Sequence, residues 1–270
     1  MNSRNSSRAA RTADTQKIVV SSRTQAAQAE LLPLTVVATS PRQVRSADAT
    51  CFVFASDGYE YLIKTDKDQG GGMAAEWVTH KLANAVNINV AEARVIELTN
   101  GQLVFGSRMV QTINDEVTTA NLLIGPTMPG MSNSLSRILA LDLFVCNVDR
   151  HDGNFLSRTD NAGHSLYAID HTRSLFWHGE YDVDLPVGTH TIQRGRERIG
   201  RHGLDIDAAT DLLDKIARLP SDWADDVLRS MPSEWLVLDQ RVRFSAWWEN
   251  GGRSARVARL RKGLIDGTLP

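Results

Sequence analysis

Asp149, Arg150, His151, Asp152 and Asn154 crowd into "LFVCNVDRHDGN", residues 143 to 154, directly behind an apolar run. Asp149 and Asn154 are five positions apart, and Asp170 ends the later run "SLYAID". "NFLSR" and "SLYAID" flank the polar "TDNAGH" and read as a hairpin. Centred on Ala162, that hairpin sets Asn154 opposite Asp170, with Cβ atoms about 4.5 to 5.5 Å apart. An amide and a carboxylate oxygen at that separation can share one hard cation such as Mg2+. Asp149 then sits beside the cation without belonging to its shell. Phosphoryl transfer needs this combination: cations that neutralise phosphates and a separate carboxylate that positions or deprotonates an incoming hydroxyl. A helix-ending turn with hydrogen-bonding Asp and Asn is the plainer reading of the same residues.

A second pair of residues changes that balance. Lys64 ends a β-run and Glu76 lies twelve residues on, in the first turns of a helical stretch. A strand lysine that meets α- and β-phosphates, tethered by a helix glutamate, is the other half of a phosphoryl-transfer site. The order Asp149, four residues, Asn154 and a later Asp170 also follows the D-x-x-x-x-N pattern and metal aspartate of such enzymes. Either half alone fits ordinary surface charges; the two together, in this order, favour the site. His151, Asp152, His164, Asp170 and His171 offer a different chemistry, a transition-metal centre for phosphodiester hydrolysis. That alternative has no recognised ligand spacing and leaves Lys64 and Glu76 without a role.

These residues need elements to carry them. "LLPLTVVATS", "TCFVFAS" and "YEYLIKTD" read as strands, with "SDG" as a tight turn and Tyr59, Tyr61 and Ile63 on one face. Gly70, Gly71 and Gly72 interrupt the pattern, and "MAAEWVTHKLANAV" follows at helical spacing. "ARVIEL" and "QLVFGSRMV" form a second hairpin about Asn100 and Gly101. Residues 111 to 133 are polar and loop-like and make the expected hinge. "SNSLSRILALDLFVCNV" reads as a helix with cap candidates at Ser132 to Ser134 and a stripe of Leu135, Ile138, Leu139 and Val145. Beyond residue 203 the chain reads as mainly helical. The expected architecture is α+β in two lobes. An antiparallel sheet with one helix occupies residues 31 to 112, a mainly helical lobe residues 113 to 270, and a disordered tail residues 1 to 30.

Composition narrows the class. A chain of 270 residues with 42% hydrophobic and 23% charged content can bury a sizeable core. Lys and Arg number 30 against 32 Asp and Glu, so there is no bulk attraction to nucleic acid or anionic membrane. Cys51 and Cys146 sit in apolar runs and suit small buried residues of a reducing compartment, not a disulfide framework. No apolar run approaches the roughly 18 residues of a membrane span. The Ser- and Arg-rich N-terminus reads as a tail of a cytoplasmic protein, with a transit peptide as the alternative. "QRGRERIGRH", residues 193 to 202, reads as a solvated basic loop, and Arg253, Arg256, Arg259 and Lys262 as the solvent face of a last amphipathic helix. Trp223, Trp235, Trp247 and Trp248 are expected to pack the helical lobe.

"NVDRHDGNF" followed by "YAIDHTRSL" resembles the catalytic and metal-binding segments of HipA-like kinases, bacterial protein serine/threonine kinases best known as toxins of toxin–antitoxin pairs. The Asp-Arg-His triplet is also similar to that of phosphoinositide lipid kinases. The stretch from "YEYLIKTD" to "ARVIEL" resembles the family's lysine strand, glycine turn and glutamate helix, and "MPSEW", residues 231 to 235, its Pro-x-x-Trp feature. The likeness spans residues 34 to 250 and implies a compact member without the extra N-terminal domain of the larger toxins. It implies a protein-kinase-like fold that uses ATP and Mg2+ on a protein substrate, with an antitoxin as a further partner. It implies Asp149 as catalytic base or hydroxyl orienter, with His151 as an assistant or as a loop-structuring residue, and Arg150 in a structural pair with a loop carboxylate. Asn154 and Asp170 become the Mg2+ ligands, and Lys64, Glu76, Ser46 and Val110 the nucleotide-binding set. The turn "SPRQVRSADA", where the family's phosphate-covering loop falls, has no glycine. A kinase-shaped binding protein without turnover is therefore an alternative, and because the sequence places no substrate pocket, so is a kinase acting on lipid or small-molecule hydroxyls.

Overall fold

The structure, a computed structural model, describes residues 32–43, 49–66, 71–111, 113–161, 163–179, 181 and 183–269. The expected tail at 1 to 30 and Ser46 lie outside the described residues. Strands β1 (Leu34–Thr39), β2 (Ala49–Ala55) and β3 (Glu60–Lys64) come first, then helix α1 (Gly72–Ala85), then β4 (Ala93–Glu97) and β5 (Leu103–Arg108). The five strands close into a barrel in the order β1-β2-β3-β5-β4. Four neighbouring pairs are antiparallel as the alternating pattern requires. The fifth, β1 with β4, is parallel, with Leu34 opposite Ile96, and it turns the expected open antiparallel sheet into a barrel with no free edge. Tyr61 and Ile63 point into the barrel and are fully buried, each favouring the fold by roughly 1.5 to 3 kcal/mol relative to exposure.

The turn into α1 needs its glycines. Gly71 has φ 72° and a Cβ there would meet Phe176 at 3.1 Å; at Gly72 it would meet the Thr172 side chain at 2.7 Å. The absence of side chains lets the start of α1 lie directly against the segment that follows Asp170. Asp66 accepts from the Met73 N–H at 2.8 Å and so holds the first turn.

Helices α2 (Glu116–Ile124) and α3 (Met131–Phe144) follow, then the hairpin β6 (Phe155–Asp160) and β7 (Gly163–Ala168). Helices α4 (His190–His202), α5 (Ile206–Ala217), α6 (Trp223–Arg229), α7 (Leu238–Glu249) and α8 (Gly252–Ile265) complete the chain. No helix among the described residues is long and apolar enough to cross a membrane. Cys51 and Cys146 are free, and Cys146 is buried.

Several expectations are corrected. The polar hinge contains α2, started by the Asp115 carboxylate accepting the Thr118 N–H at a residue the loop reading ignored. The basic run at 193 to 202 is helix, not loop: Thr191, Ile192, Gly195, Arg198 and His202 recur at helical spacing and are buried. Apart from Ile192, polar and small residues occupy those buried positions, so no apolar stripe marked the helix. α3 is capped by Gly130 in a left-handed conformation, not by the serines. Ser132 donates to the Gly203 carbonyl and Ser136 accepts the Asp205 N–H, which ties α3 to the α4–α5 connection instead.

In α8, Val257, Leu260 and Leu264 are buried as expected, but Arg256 leaves the solvent face and is 1% exposed. Its guanidinium donates to the Leu143 and Phe144 carbonyls, acceptors that the end of α3 leaves without intrahelical partners, and to the Val183 carbonyl. Trp223, Trp247 and Trp248 pack within the helical part, Trp223 stacked on Trp248 at 4.5 Å. Trp235 does not follow them. It meets Trp77 of α1 and Phe105 of β5 edge-on and donates its indole N–H to the Leu103 carbonyl, fastening the helical part to the barrel.

Candidate functional site

Lys64 ends β3 between β2 and β5 and is 5% exposed. Its ammonium donates to Glu76 Oε1 on α1, to Asp170 Oδ1 at 2.7 Å and to Thr172 Oγ1 at 3.2 Å. A lysine from the barrel and an aspartate from the helical part therefore meet at one point. Burial alone would lower the Lys64 pKa; the Glu76 and Asp170 carboxylates outweigh it and hold the ammonium above its ordinary value. Burial likewise disfavours the Glu76 carboxylate, and the Lys64 charge together with the His171 side chain hold it well below the usual range. The His171 N–H donates to Glu76 at 2.8 Å, and the Thr172 hydroxyl lies within 2.9 Å of Glu76 and 3.0 Å of Asp170.

Asp170 reaches this position through a left-handed backbone, φ 59°. The hairpin register explains why. Phe155 pairs with Ala168 and Asp160 with Gly163, so Asn154 stands level with Ile169, whose N–H it accepts at 3.1 Å. The expected direct pairing of Asn154 with Asp170 is off by one residue, because the turn is two residues wide and not centred on Ala162. The left-handed turn at Asp170 then swings its carboxylate to Lys64, a conformation costly for a residue other than glycine.

Asp149 is fixed by its main chain. Its N–H donates to Asn147 Oδ1, and its carbonyl accepts from Asn154 Nδ2 at 2.8 Å and from the His151 N–H at 2.9 Å. The Asn154 bond uses the amide nitrogen and leaves the side-chain oxygen as the free end. The Asp149 carboxylate meets His190 Nδ1 at 2.7 Å and the Arg173 guanidinium at 3.2 Å. Beneath the loop Arg150 forks onto Asp142, Nε to Oδ2 at 2.8 Å and Nη2 to Oδ1 at 2.9 Å. It also donates to the Asn154 and Ile169 carbonyls. Arg150 thus has the structural role expected of it, but its partner is a helix carboxylate, not a loop one.

The sequence-derived residues have different fates. Lys64, Glu76 and Asp170 share one network, and Asn154 joins Asp149 through a backbone bond. His151 folds back to accept the Gly153 N–H, the loop-structuring role. Val110 is half-buried in the connection between β5 and α2. The His/Asp alternative comes apart: His164 bonds Thr159 on the hairpin, Asp152 pairs with Arg198, and His171 is buried beside Glu76. Among the described residues no three His, Cys, Asp or Glu side chains gather where they could hold a metal ion. Thr172, Arg173, His190 and Asp142 were missed. Thr172 and Arg173 lie within three residues of Asp170 and proximity could have flagged them; His190 arrives from 41 residues beyond Asp149 and carries no spacing signal.

On a mixed α+β frame, a glutamate-tethered strand lysine facing an Asp/Asn set and a separate loop aspartate defines a phosphotransferase with a kinase-like fold. A family model described as HipA-like kinase matches residues 42–250. The chain belongs to the HipA-like kinase family. It is similar in fold to the Helicobacter pylori proinflammatory kinase CtkA, with TM-score 0.57 and 13% identity over 87% of this chain and 99% of that one. It is less similar to HipA of the Shewanella oneidensis MR-1 toxin–antitoxin system, solved with HipB and operator DNA, with TM-score 0.46 and 13% identity over 82% of this chain and 65% of that one. The choline kinase LicA from Streptococcus pneumoniae follows with TM-score 0.33 and 13% identity over 93% and 98% of the two chains. The chain matches no curated protein.

Proposed function

We propose that this protein transfers the γ-phosphate of ATP to a serine or threonine hydroxyl of a protein. The observation that carries the reading is the single ammonium of Lys64 bonded to Glu76 from the barrel side and Asp170 from the helical side. Residues 31 to 112 then act as the lobe that grips the nucleotide, with Val110 in its lining, and residues 113 to 270 as the lobe that carries the acceptor. Lys64 binds phosphate oxygens, and Glu76 keeps it extended when Asp170 is engaged elsewhere. Asp149 orients the acceptor hydroxyl and takes its proton as the oxygen attacks phosphorus.

The donor set fits Mg2+. Asp170 and the Asn154 amide oxygen would hold the ion with two hard oxygens. When bound, the ion neutralises charge on the phosphates. The burial of Lys64 strengthens its attraction for phosphate relative to that in bulk water.

Labelled ATP, Mg2+ and a cell lysate test the reading. Label on a protein that disappears with Asp149→Asn supports it. ATP binding without label favours a nucleotide-binding protein without turnover, the alternative that the glycine-free turn at 40 to 49 supports. Label on lipid or a small molecule moves the substrate class. From family membership we further propose a cytoplasmic toxin neutralised by an antitoxin; growth arrest on expression, relieved by Asp170→Asn, is the expected outcome.

A further inference from the structure

We propose that His190 is a positioning residue for Asp149: its Nδ1–H fixes the rotation of the carboxylate toward the incoming hydroxyl. The inference rests on the phosphotransferase reading above and names a residue which that reading does not require. The main-chain bonds that fix Asp149 leave its side chain free to rotate. The carboxylate itself is held from outside the loop, Oδ1 by His190 Nδ1 at 2.7 Å and Oδ2 by Arg173 at 3.2 Å. A carboxylate only accepts hydrogen bonds, so the imidazole presents its N–H on Nδ1.

His190 is delivered to this place by construction. It is the first residue of α4, and the next residue, Thr191, is 1% exposed. The Thr191 hydroxyl donates to the Asn147 carbonyl at 2.5 Å and accepts the Arg150 N–H at 2.9 Å, and its own N–H reaches the Val148 carbonyl at 3.4 Å. Two turns later Arg198 pairs with Asp152 at 2.6 Å. The first turn of α4 is thus sewn to the loop on both sides of Asp149, and the His151 ring stands edge-on to His190 at 6.1 Å as a second wall. The His190 side chain is 58% exposed, where a contact to a carboxylate adds little to stability. A reacting group moved by an ångström, in contrast, can lose on the order of 100-fold in rate. The arrangement is worth more to the orientation of Asp149 than to the fold.

Two substitutions separate orientation from packing. His190→Asn keeps an N–H donor near the position of Nδ1, while His190→Leu removes the donor at similar size. The readout is the initial rate of label transfer from ATP into lysate protein, as rate at saturating ATP and KM for ATP, beside Tm. His190→Leu is expected to lower the saturating rate by roughly tenfold or more with KM for ATP and Tm unchanged, and His190→Asn to recover most of the loss. The inference is overturned if His190→Leu keeps the wild-type rate, if His190→Asn is no better than His190→Leu, or if the loss appears in KM or Tm. With Asp149→Asn alongside, loss of label there but not in His190→Leu sinks this inference alone. No transfer by the wild-type chain, or full transfer by Asp149→Asn, sinks the phosphotransferase reading and this inference together.

Discussion

Lys64 and Arg150 are both buried cations inside the site, and their partners differ in kind. Arg150 forks onto both oxygens of Asp142 and directs its remaining donors to the Asn154 and Ile169 carbonyls, so any movement breaks several bonds at once. Lys64 shares one compact ammonium among Glu76, Asp170 and Thr172, and the side chain of Asp170 is 20% exposed while that of Glu76 is 5% exposed. A planar guanidinium suits a permanent joint; an ammonium can release one acceptor and keep another. The difference teaches which contacts are redundant. Under the proposed function the loop that carries Asp149 stays in place, and the Lys64–Asp170 contact is the one that opens while the Glu76 contact remains.

The sharpest break of this comparison is Asp142→Ala, which leaves the Arg150 guanidinium buried without its counter-charge. A loss of about 3 to 5 kcal/mol in denaturant unfolding is expected. Glu76→Gln should cost less, because Lys64 keeps Asp170 and Thr172; the reverse order would refute the division into fixed and adjustable pairs. Lys64→Met is the functional counterpart. Phosphate transfer should fall by roughly 100- to 1,000-fold, as when a preorganised charge is removed from a transition state, with a smaller loss of Tm than Asp142→Ala gives.

Arg150→Lys tests whether geometry matters beyond charge: losing the fork should cost about 1 to 3 kcal/mol by unfolding. Thr172→Val should cost about 1 kcal/mol, with Thr172→Ser near wild type if the hydroxyl is what Lys64 and the carboxylates use.

The smallest effect is a slope with pH. Burial, then the charges of Lys81 and His171, push His80 down to about 3 from an ordinary 6.5. Between those values the unfolded chain binds the extra proton and the folded one does not, so stability falls as pH drops from 6.5. The depressed Glu76 works in the same direction, but only below its ordinary 4.5. In the window from pH 6.5 to 5 the slope is therefore that of His80, and Tm of His80→Gln should vary less with pH than the wild type's. An unchanged slope would show that His80 does not remain neutral in the folded chain.

Much of the fold was legible where residue periodicity matched burial. Tyr61, Ile63 and the stripe of Leu135, Ile138 and Leu139 are buried where the pattern put them, whereas Tyr59, the third residue of that strand face, precedes β3 and is exposed. The pattern failed where buried positions carry polar or small residues. Helix α4 buries Thr191, Gly195, Arg198 and His202, and Arg256 is buried because the end of α3 supplies carbonyls for it. The parallel closure of β1 on β4 was invisible for a related reason: strand patterns report faces, not neighbours.

The sequence by itself determined the chemical cast, because a strand lysine, a helix glutamate and an Asp–Asn–Asp series have few joint uses and their spacing is local. Tertiary structure decided the contacts: that Lys64 meets Asp170 across 106 residues, that the β6–β7 register and a left-handed Asp170 make this reach, and that His190 faces Asp149. Such contacts depend on how separate elements pack, and packing is set by the whole core at once. Spacing along the chain holds no record of it.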